Sequence, residues 1–158
     1  MSEPAAQSWT ARLAELGIRL PPVSAPVASY VPALRSGSLV FTSGQLPFVD
    51  GGLRRTGKVG GSVDAEEAAA DAKVCALNGL AAIDDLVGLD SIVRIVKVVG
   101  YVASAEGFSA QPRVVNGASE LLGKIFGPAG QHARSAVGVA ELPLNAPVEV
   151  ELTVEVRG

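Results

Sequence analysis

The stretch Val148-Glu149-Val150-Glu151-Leu152-Thr153-Val154-Glu155-Val156 alternates apolar and polar side chains without interruption. Such alternation is typical of a β-strand with one buried face and one open face. A second strand-like run, Ala133-Arg134-Ser135-Ala136-Val137-Gly138-Val139-Ala140-Glu141-Leu142-Pro143, precedes it. A turn marked by Pro143, Asn145 and Pro147 separates the two runs. The end of the chain therefore predicts two strands, and the rest of the fold has to accommodate them.

Near the start of each of these strands lies a charged residue that could bind a ligand or take part in a reaction. Arg134 could bind a carboxylate through two parallel hydrogen bonds, and Glu149 could hold a water or accept its proton. If the two strands are neighbours, the pair could form a small site for an anionic substrate and a water. It could equally be a surface ion pair, so these two residues alone leave both interpretations open.

Composition excludes several classes of protein. The chain has 158 residues, 48% of them hydrophobic and 18% charged, which indicates one folded domain and not a disordered chain. A net charge of −3, without clustered Lys or Arg, and an aromatic content of 4% argue against nucleic-acid binding. No apolar run reaches the ~20 residues of a membrane span. The start Met1-Ser2-Glu3-Pro4 lacks the features of a signal peptide, so a cytoplasmic location is expected.

The single cysteine, Cys75, and the single histidine, His132, limit the chemistry further. One cysteine forms no internal disulfide, and the two residues are far apart in sequence, so neither a metal site nor a Cys-His pair is expected. Cys75 lies on an apolar helix stripe and is expected in the core. The high apolar content also indicates that some surface is buried between subunits.

The patterns predict two main helices that alternate with strands. The predicted elements are a helix at Gln7–Leu16, a hairpin of strands Ala28–Leu34 and Leu39–Ser43, a loop at Phe48–Ser62 with room for one short strand, a helix at Ala65–Val87, a strand at Asp90–Ser104, a helix at Ser109–Phe126 and the two final strands. Asp64 and Glu67 form a capping pattern before the first main helix, and Gly88 follows it. The strand around Ile95 is apolar on both faces, which favours an interior position. The order predicts an α+β fold with one mixed sheet and both main helices on one face.

Four other residues are candidates for a site, each with a structural alternative. Tyr30 could donate to a ligand or could be half-buried packing. Ser43 and Gly44 end a strand with small residues, where a ligand can approach the backbone, or they form a bulge. Asn116 lies inside a helix beside Gly117, and two poor helix formers together indicate a packing or site role.

Taken together, these segments resemble the RidA (YjgF) family of imine/enamine deaminases, in particular a longer subgroup with an N-terminal extension. The residues that carry the resemblance are Tyr30, Thr42-Ser43-Gly44-Gln45, Ala133-Arg134-Ser135, Leu142-Pro143 and Val148-Glu149-Val150-Glu151. The resemblance covers about residues 28 to 157. It implies an N-terminal helix and extended segment over residues 1–27 and a RidA-like domain over residues 28–158.

The resemblance implies a chorismate-mutase-like fold and a homotrimer with its sheets facing inward and three clefts between subunits. Carried onto this sequence, Arg134 would bind the substrate carboxylate and Glu149 would orient the attacking water. Tyr30 would reach the site from the neighbouring subunit. Ser43, Gly44 and Asn116 would line or support the cleft, and no metal or organic cofactor is implied.

One position departs from the family pattern. Many of the deaminases have a cysteine two residues after the arginine, and this chain has Ala136. The backbone at Ala136 can still hydrogen-bond a substrate atom, so activity is not excluded. The resemblance favours hydrolysis of 2-imino or 2-enamino acids to 2-oxo acids and ammonia. A non-catalytic trimeric sensor of small carboxylates is the alternative, and an endoribonuclease is a third hypothesis that the negative charge disfavours.

Overall fold

The structure, a computed structural model, describes residues 8–23, 25–26 and 28–158. Its elements in chain order are α1 (Trp9–Glu15), β1 (Ala33–Ser36), β2 (Leu39–Thr42), β3 (Phe48–Val49), β4 (Gly52–Leu53), α2 (Ala65–Val87), β5 (Ile92–Ala103), α3 (Gln111–Phe126), β6 (Ala133–Val139) and β7 (Val148–Val156). The predicted helix start at Gln7 and the prediction about a signal peptide at Met1 lie outside the described residues.

Five strands form one mixed sheet in the order β1-β2-β7-β5-β6. Strands β5 and β6 are parallel, and the other three pairings are antiparallel. Strand β5 lies inside the sheet, which confirms the position predicted from its two apolar faces. Strands β3 and β4 form a separate two-stranded hairpin within the segment predicted as a loop.

Helix α2 has the bounds that the sequence predicts. The side chain of Asp64 accepts a hydrogen bond from the backbone N–H of Glu67 at 2.8 Å, and Gly88 ends the helix with a positive φ of 81°. The small residues of its stripe, from Ala68 onward, are buried against the sheet. Leu86, in the last turn, departs from the prediction because it is 45% exposed.

Both main helices pack on one face of the sheet, as predicted. Helix α2 contacts β7, and α3 contacts β5, β6 and α2. Two glycines permit this close packing. A Cβ on Gly117 would lie 1.9 Å from the backbone oxygen of Ala69 in α2, and one on Gly100 would lie 2.3 Å from Val115. The glycine beside Asn116 therefore has a packing role.

Replacing Gly117 with alanine should destabilise the protein by about 3 kcal/mol, because the obstructing atom is backbone and the helices would have to separate. Gly123 on the same helix is the matched control, since none of the described atoms lies within 4 Å of its added Cβ. Gly123→Ala should be neutral or stabilise by about 0.5–1 kcal/mol. Chemical denaturation of both variants measures the difference, and equal stabilities would contradict the close-packing argument.

The strand β7 displays the predicted alternation. Its valines and Leu152 are buried under the helices, and Glu149, Glu151, Thr153 and Glu155 point to the other face. The strand register places further side chains on this open face. The exposed apolar members of the open face are Leu34, Phe41 and Val137. The open face is thus part polar and part apolar.

The first strand differs from its predicted position. Tyr30 lies in a bend at residues 28–30, where its N–H donates to the carbonyl of Ala28, and β1 begins only at Ala33. Pro32 explains the difference, because it has no N–H to contribute to a strand ladder. The predicted hairpin with β2 is confirmed, and Gly37 makes its turn with a φ of 63°.

The N-terminal helix packs against the end of the main fold. The indole of Trp9 donates to the carbonyl of Ile92 at 2.8 Å, and its ring meets the edge of Phe126 at a centroid distance of 4.8 Å. Leu13 joins the same core. The boundary at residue 27 between the N-terminal extension and the following domain stays a prediction. Across the described ranges, every helix falls short of the length and apolar character that spanning a membrane requires.

Candidate active site in two parts

Arg134 is held on the helix-covered face of the sheet. It lies on the edge strand β6 opposite the buried Val98, so its side chain points towards α3. The guanidinium donates to Asn116 Oδ1 at 2.8 Å, to Ser119 Oγ at 3.2 Å and to the carbonyl of Pro112 at 3.4 Å. These acceptors fix the orientation of the guanidinium. The structure therefore brings together Arg134 and Asn116, two of the predicted site residues.

A second set of hydrogen bonds, from His132 through Ser119, supports the position of Arg134. Nδ1 of His132 donates to the carbonyl of Gly130 at 2.6 Å, which leaves Nε2 to accept from the hydroxyl of Ser119 at 2.8 Å. The hydroxyl oxygen is then free to accept from Arg134. Ser119 was not among the candidate residues predicted from the sequence. Its spacing of three residues from Asn116, which places both on one helix face, is the signal that could have found it.

Glu149 lies on the opposite face of the sheet. It stands across from Tyr101 on the open face and lines a cavity of about 480 Å³ together with Tyr30 and Gly44. Partial burial raises the pKa of the Glu149 carboxyl above its ordinary value, and the nearby negative charge of Glu151 raises it further. A carboxylate with a raised pKa is a better base towards water.

Gly44 is packed directly against the Glu149 carboxylate. A Cβ at this position would lie 1.9 Å from Glu149 Oε1. Two backbone hydrogen bonds between Gln45 and Val150, at 2.8 and 3.1 Å, hold the two segments together. Only a residue without a side chain leaves the carboxylate in this place. Gly44 therefore lies near Glu149, as predicted for a site residue, and the missing side chain leaves the space that the carboxylate occupies.

Ser43 is linked to the segment that carries Tyr30. The hydroxyl of Ser43 donates to the carbonyl of Val31 at 2.6 Å, so it ties down the segment that carries Tyr30. Tyr30 is 48% exposed and lines the cavity of Glu149 in its own chain. The expectation that Tyr30 reaches the arginine of a neighbouring subunit stays a prediction, because it concerns a second chain.

Arg134 and Glu149 do not meet within one chain. Strand β5 separates β6 from β7, so the two strands are not the neighbours that the sequence analysis considered. The register also puts the two side chains on opposite faces, Arg134 with Val98 and Glu149 with Tyr101. A single chain thus carries two separate groups of polar residues, which we call the arginine half-site (Arg134, Asn116, Ser119) and the glutamate half-site (Glu149, Gly44, Tyr30).

Ala136 belongs to the arginine half-site by position. It lies two residues beyond Arg134 on β6, opposite Gly100, and therefore on the same face. Its methyl group packs against the edge of the core. No thiol is available at this position, so any polar contact to a ligand would come from the backbone.

Sequence comparison assigns this arrangement to a known family. A family model described as "YjgF/chorismate mutase-like, putative endoribonuclease" matches residues 10–156. The chain belongs to the YjgF family. The mixed sheet with its two covering helices is the chorismate-mutase-like fold of that family, and the recognition made from the sequence motifs is confirmed.

Relatives of this YjgF chain align over nearly its full length. Protein TCP17 of Trypanosoma cruzi is 43% identical over 99% of both chains. The protein Atu1372 from Agrobacterium tumefaciens has a similar structure, with a TM-score of 0.86 and 44% identity over 94% of this chain and 92% of the other. A structure described as a putative endoribonuclease from Shewanella oneidensis has a TM-score of 0.90 and 32% identity over 95% of this chain and all of the other.

The raised pKa of Glu149 has a consequence for stability. A carboxyl whose pKa is higher in the folded protein than in the unfolded chain favours folding when protonated, and its ionisation costs stability as the pH rises through that window. Glu149→Gln should therefore raise the melting temperature by a few degrees near neutral pH. The gain should shrink at about pH 4, where the wild-type carboxyl is protonated. Melting curves at both pH values test this, and a gain that grows in acid would contradict it.

Proposed function

We propose that this YjgF protein hydrolyses reactive 2-imino and 2-enamino acids to 2-oxo acids and ammonia, in clefts shared between the subunits of a homotrimer. The observation that carries the proposal is the division of the polar residues into two half-sites on opposite faces of one sheet. Two such half-sites form a complete site only when Arg134 of one subunit faces Glu149 of its neighbour. The arginine is already oriented by Asn116 and Ser119, as a carboxylate clamp requires.

The surface of the chain supports a trimer with its sheets facing inward. The open face carries the exposed apolar side chains of Leu34, Phe41 and Val137, which a subunit contact would cover. Strand β6 is an edge of the sheet, and it places Arg134 at the border of the subunit. A neighbour that packs against this edge would bring its own cavity towards the guanidinium.

The reaction needs few groups because the imine carbon is already electrophilic. Arg134 binds the substrate carboxylate, and Glu149 takes a proton from water as the new C–O bond forms. The proton then passes to the nitrogen, the C–N bond breaks, and ammonia leaves with a 2-oxo acid as the other product. Water supplies the oxygen and two hydrogens, so no redox partner or cofactor enters the balance.

The absence of a thiol at Ala136 favours one alternative, a trimer that binds small carboxylates in the same clefts without turnover. The same variants separate the two functions. Purified protein should accelerate 2-oxo acid release from 2-iminobutyrate generated by an amino-acid oxidase, and Arg134→Ala should abolish the acceleration. Ligand-dependent thermal stabilisation by 2-oxobutyrate without any acceleration would support the binding function instead and would overturn the deaminase.

The descriptions of several relatives name a third activity, RNA cleavage. The net charge of −3 gives little attraction for phosphates, so we expect none from this chain. Incubation with a labelled single-stranded RNA tests this expectation. Cleavage that Arg134→Ala abolishes would assign the arginine half-site to RNA.

A further inference from the structure

The cavity beside Glu149 is apolar over most of its wall. Its volume of about 480 Å³ lies within the range of sites for small molecules. Glu149 and Gln45 contribute polar side chains. The apolar part of the wall includes Ala25, Pro26, Leu46, Phe48 and Leu144 together with Pro32 and Pro143. A water held for hydrolysis needs only the space next to Glu149, so the larger apolar part of the cavity is available for another group.

Leu144 is an unusual residue for the edge of this cavity. It is 67% exposed, and its φ of 59° is one that leucine rarely adopts. Three backbone hydrogen bonds keep the turn in this shape, from Asn145 to Leu142, from Ala146 to Pro143 and from Gly57 to Asn145. Leu144 is too exposed to stabilise the core, although its backbone is held in a strained conformation. Strain of this kind is often found at binding sites, so the position of Leu144 on the cavity wall indicates a role in binding.

The N-terminal segment supplies another part of the wall. Ala25 and Pro26 line the cavity, and the residues before them, Leu20 to Val23, border a second groove against α2. The hydrogen bond from Trp9 to Ile92 anchors the start of this segment. Two described residues of the extension thus add apolar surface to the glutamate half-site.

We propose that this cavity receives the side chain of the substrate, and that the protein prefers 2-imino acids with large apolar side chains, such as those derived from leucine or phenylalanine. The inference rests on the proposed deaminase function and adds its substrate class. Leu144 is the specificity-determining residue, because an apolar wall favours each additional methylene of the substrate by burial and gives a charged side chain no partner.

The test compares kcat/KM for imines generated in situ from leucine, phenylalanine and 2-aminobutyrate. We expect the wild type to favour the two large imines by about tenfold or more in kcat/KM, and Leu144→Asn to reduce that preference by about tenfold. Asparagine tolerates a positive φ, so the turn should be preserved. Leu86→Asn, also an exposed leucine but at the end of α2, is the matched control and should keep the wild-type preference.

Binding of stable product acids separates this inference from the proposed function. Calorimetry compares 4-methyl-2-oxopentanoate with 2-oxobutyrate on wild type, Leu144→Asn and Leu86→Asn, and size-exclusion chromatography checks that the oligomer is the same. A preference for the larger acid that only Leu144→Asn removes supports the cavity assignment, even if no imine is turned over. Turnover of all imines with equal kcat/KM, equal binding of both acids, or a change confined to the oligomeric state would overturn it.

Discussion

Two inactive variants, Arg134→Ala and Glu149→Gln, should regain activity when their subunits are combined in one oligomer. Each variant alone should lose about 100-fold or more in kcat/KM for 2-iminobutyrate, because the proposed function makes Arg134 the carboxylate clamp and Glu149 the base. In a mixed oligomer, some clefts receive an intact arginine half-site from one subunit and an intact glutamate half-site from its neighbour. Random assembly in a closed ring predicts that roughly a quarter of the clefts are complete.

Co-expression of the two variants with different affinity tags yields the mixed oligomer for assay. A double variant, Arg134→Ala with Glu149→Gln in the same chain, co-expressed with wild type supplies the control, because its complete clefts come only from wild-type neighbours. Recovery of about a quarter of the wild-type activity supports a shared cleft. Complete inactivity of a verified mixed oligomer would place both residues in the cleft of one subunit and contradict the opposite-face geometry.

Gly44→Ala should abolish most activity while the protein stays folded. The new Cβ would lie 1.9 Å from Glu149 Oε1, and the carboxylate must move away from it. The displaced atom is the end of a flexible side chain, so a rotamer change relieves the clash at little cost in stability. Because a displacement of about 1 Å can cost roughly 100-fold in rate, we expect a loss of about that size in kcat.

The matched control for this prediction is Gly52→Ala in the β3–β4 hairpin. Among the residues that the structure describes, no atom lies within 4 Å of its added Cβ, and activity should be unchanged. Melting temperature and kcat are measured for both variants. If Gly44→Ala retains full activity, the present position of the Glu149 carboxylate is not required for the reaction.

Local patterns determined the elements that lie within a few residues of their signals. The capping pair Asp64 and Glu67 and the terminal Gly88 specify both ends of α2, because each acts through hydrogen bonds or backbone angles of adjacent residues. The alternation from Val148 to Val156 likewise specifies which side chains of β7 are buried. Motif spacing indicated the family before any tertiary information.

The candidate site depends on which strands pair, and this is a long-range property. Arg134 and Glu149 lie on strands that are consecutive in the sequence. In the sheet, however, β5, which precedes both strands in the sequence, lies between them. Its register with both neighbours puts the two residues on opposite faces. No local pattern carries this information, since the face of an edge-strand side chain depends on a partner more than thirty residues away.

The tertiary structure also decided the surroundings of three residues, Ser119, Gly44 and Leu144. Ser119 contacts Arg134 because α3 lies over β6. Gly44 lies against Glu149 because the backbone hydrogen bonds between Gln45 and Val150 hold the two segments together. Leu144 lines the cavity because its turn lies at the edge of the cavity. The sequence by itself therefore determined both main helices, the strands β2, β5, β6 and β7, the buried face of β7 and the family. The packing of distant segments alone decided that one chain carries two half-sites, because contacts between such segments follow from the whole fold and not from neighbouring residues.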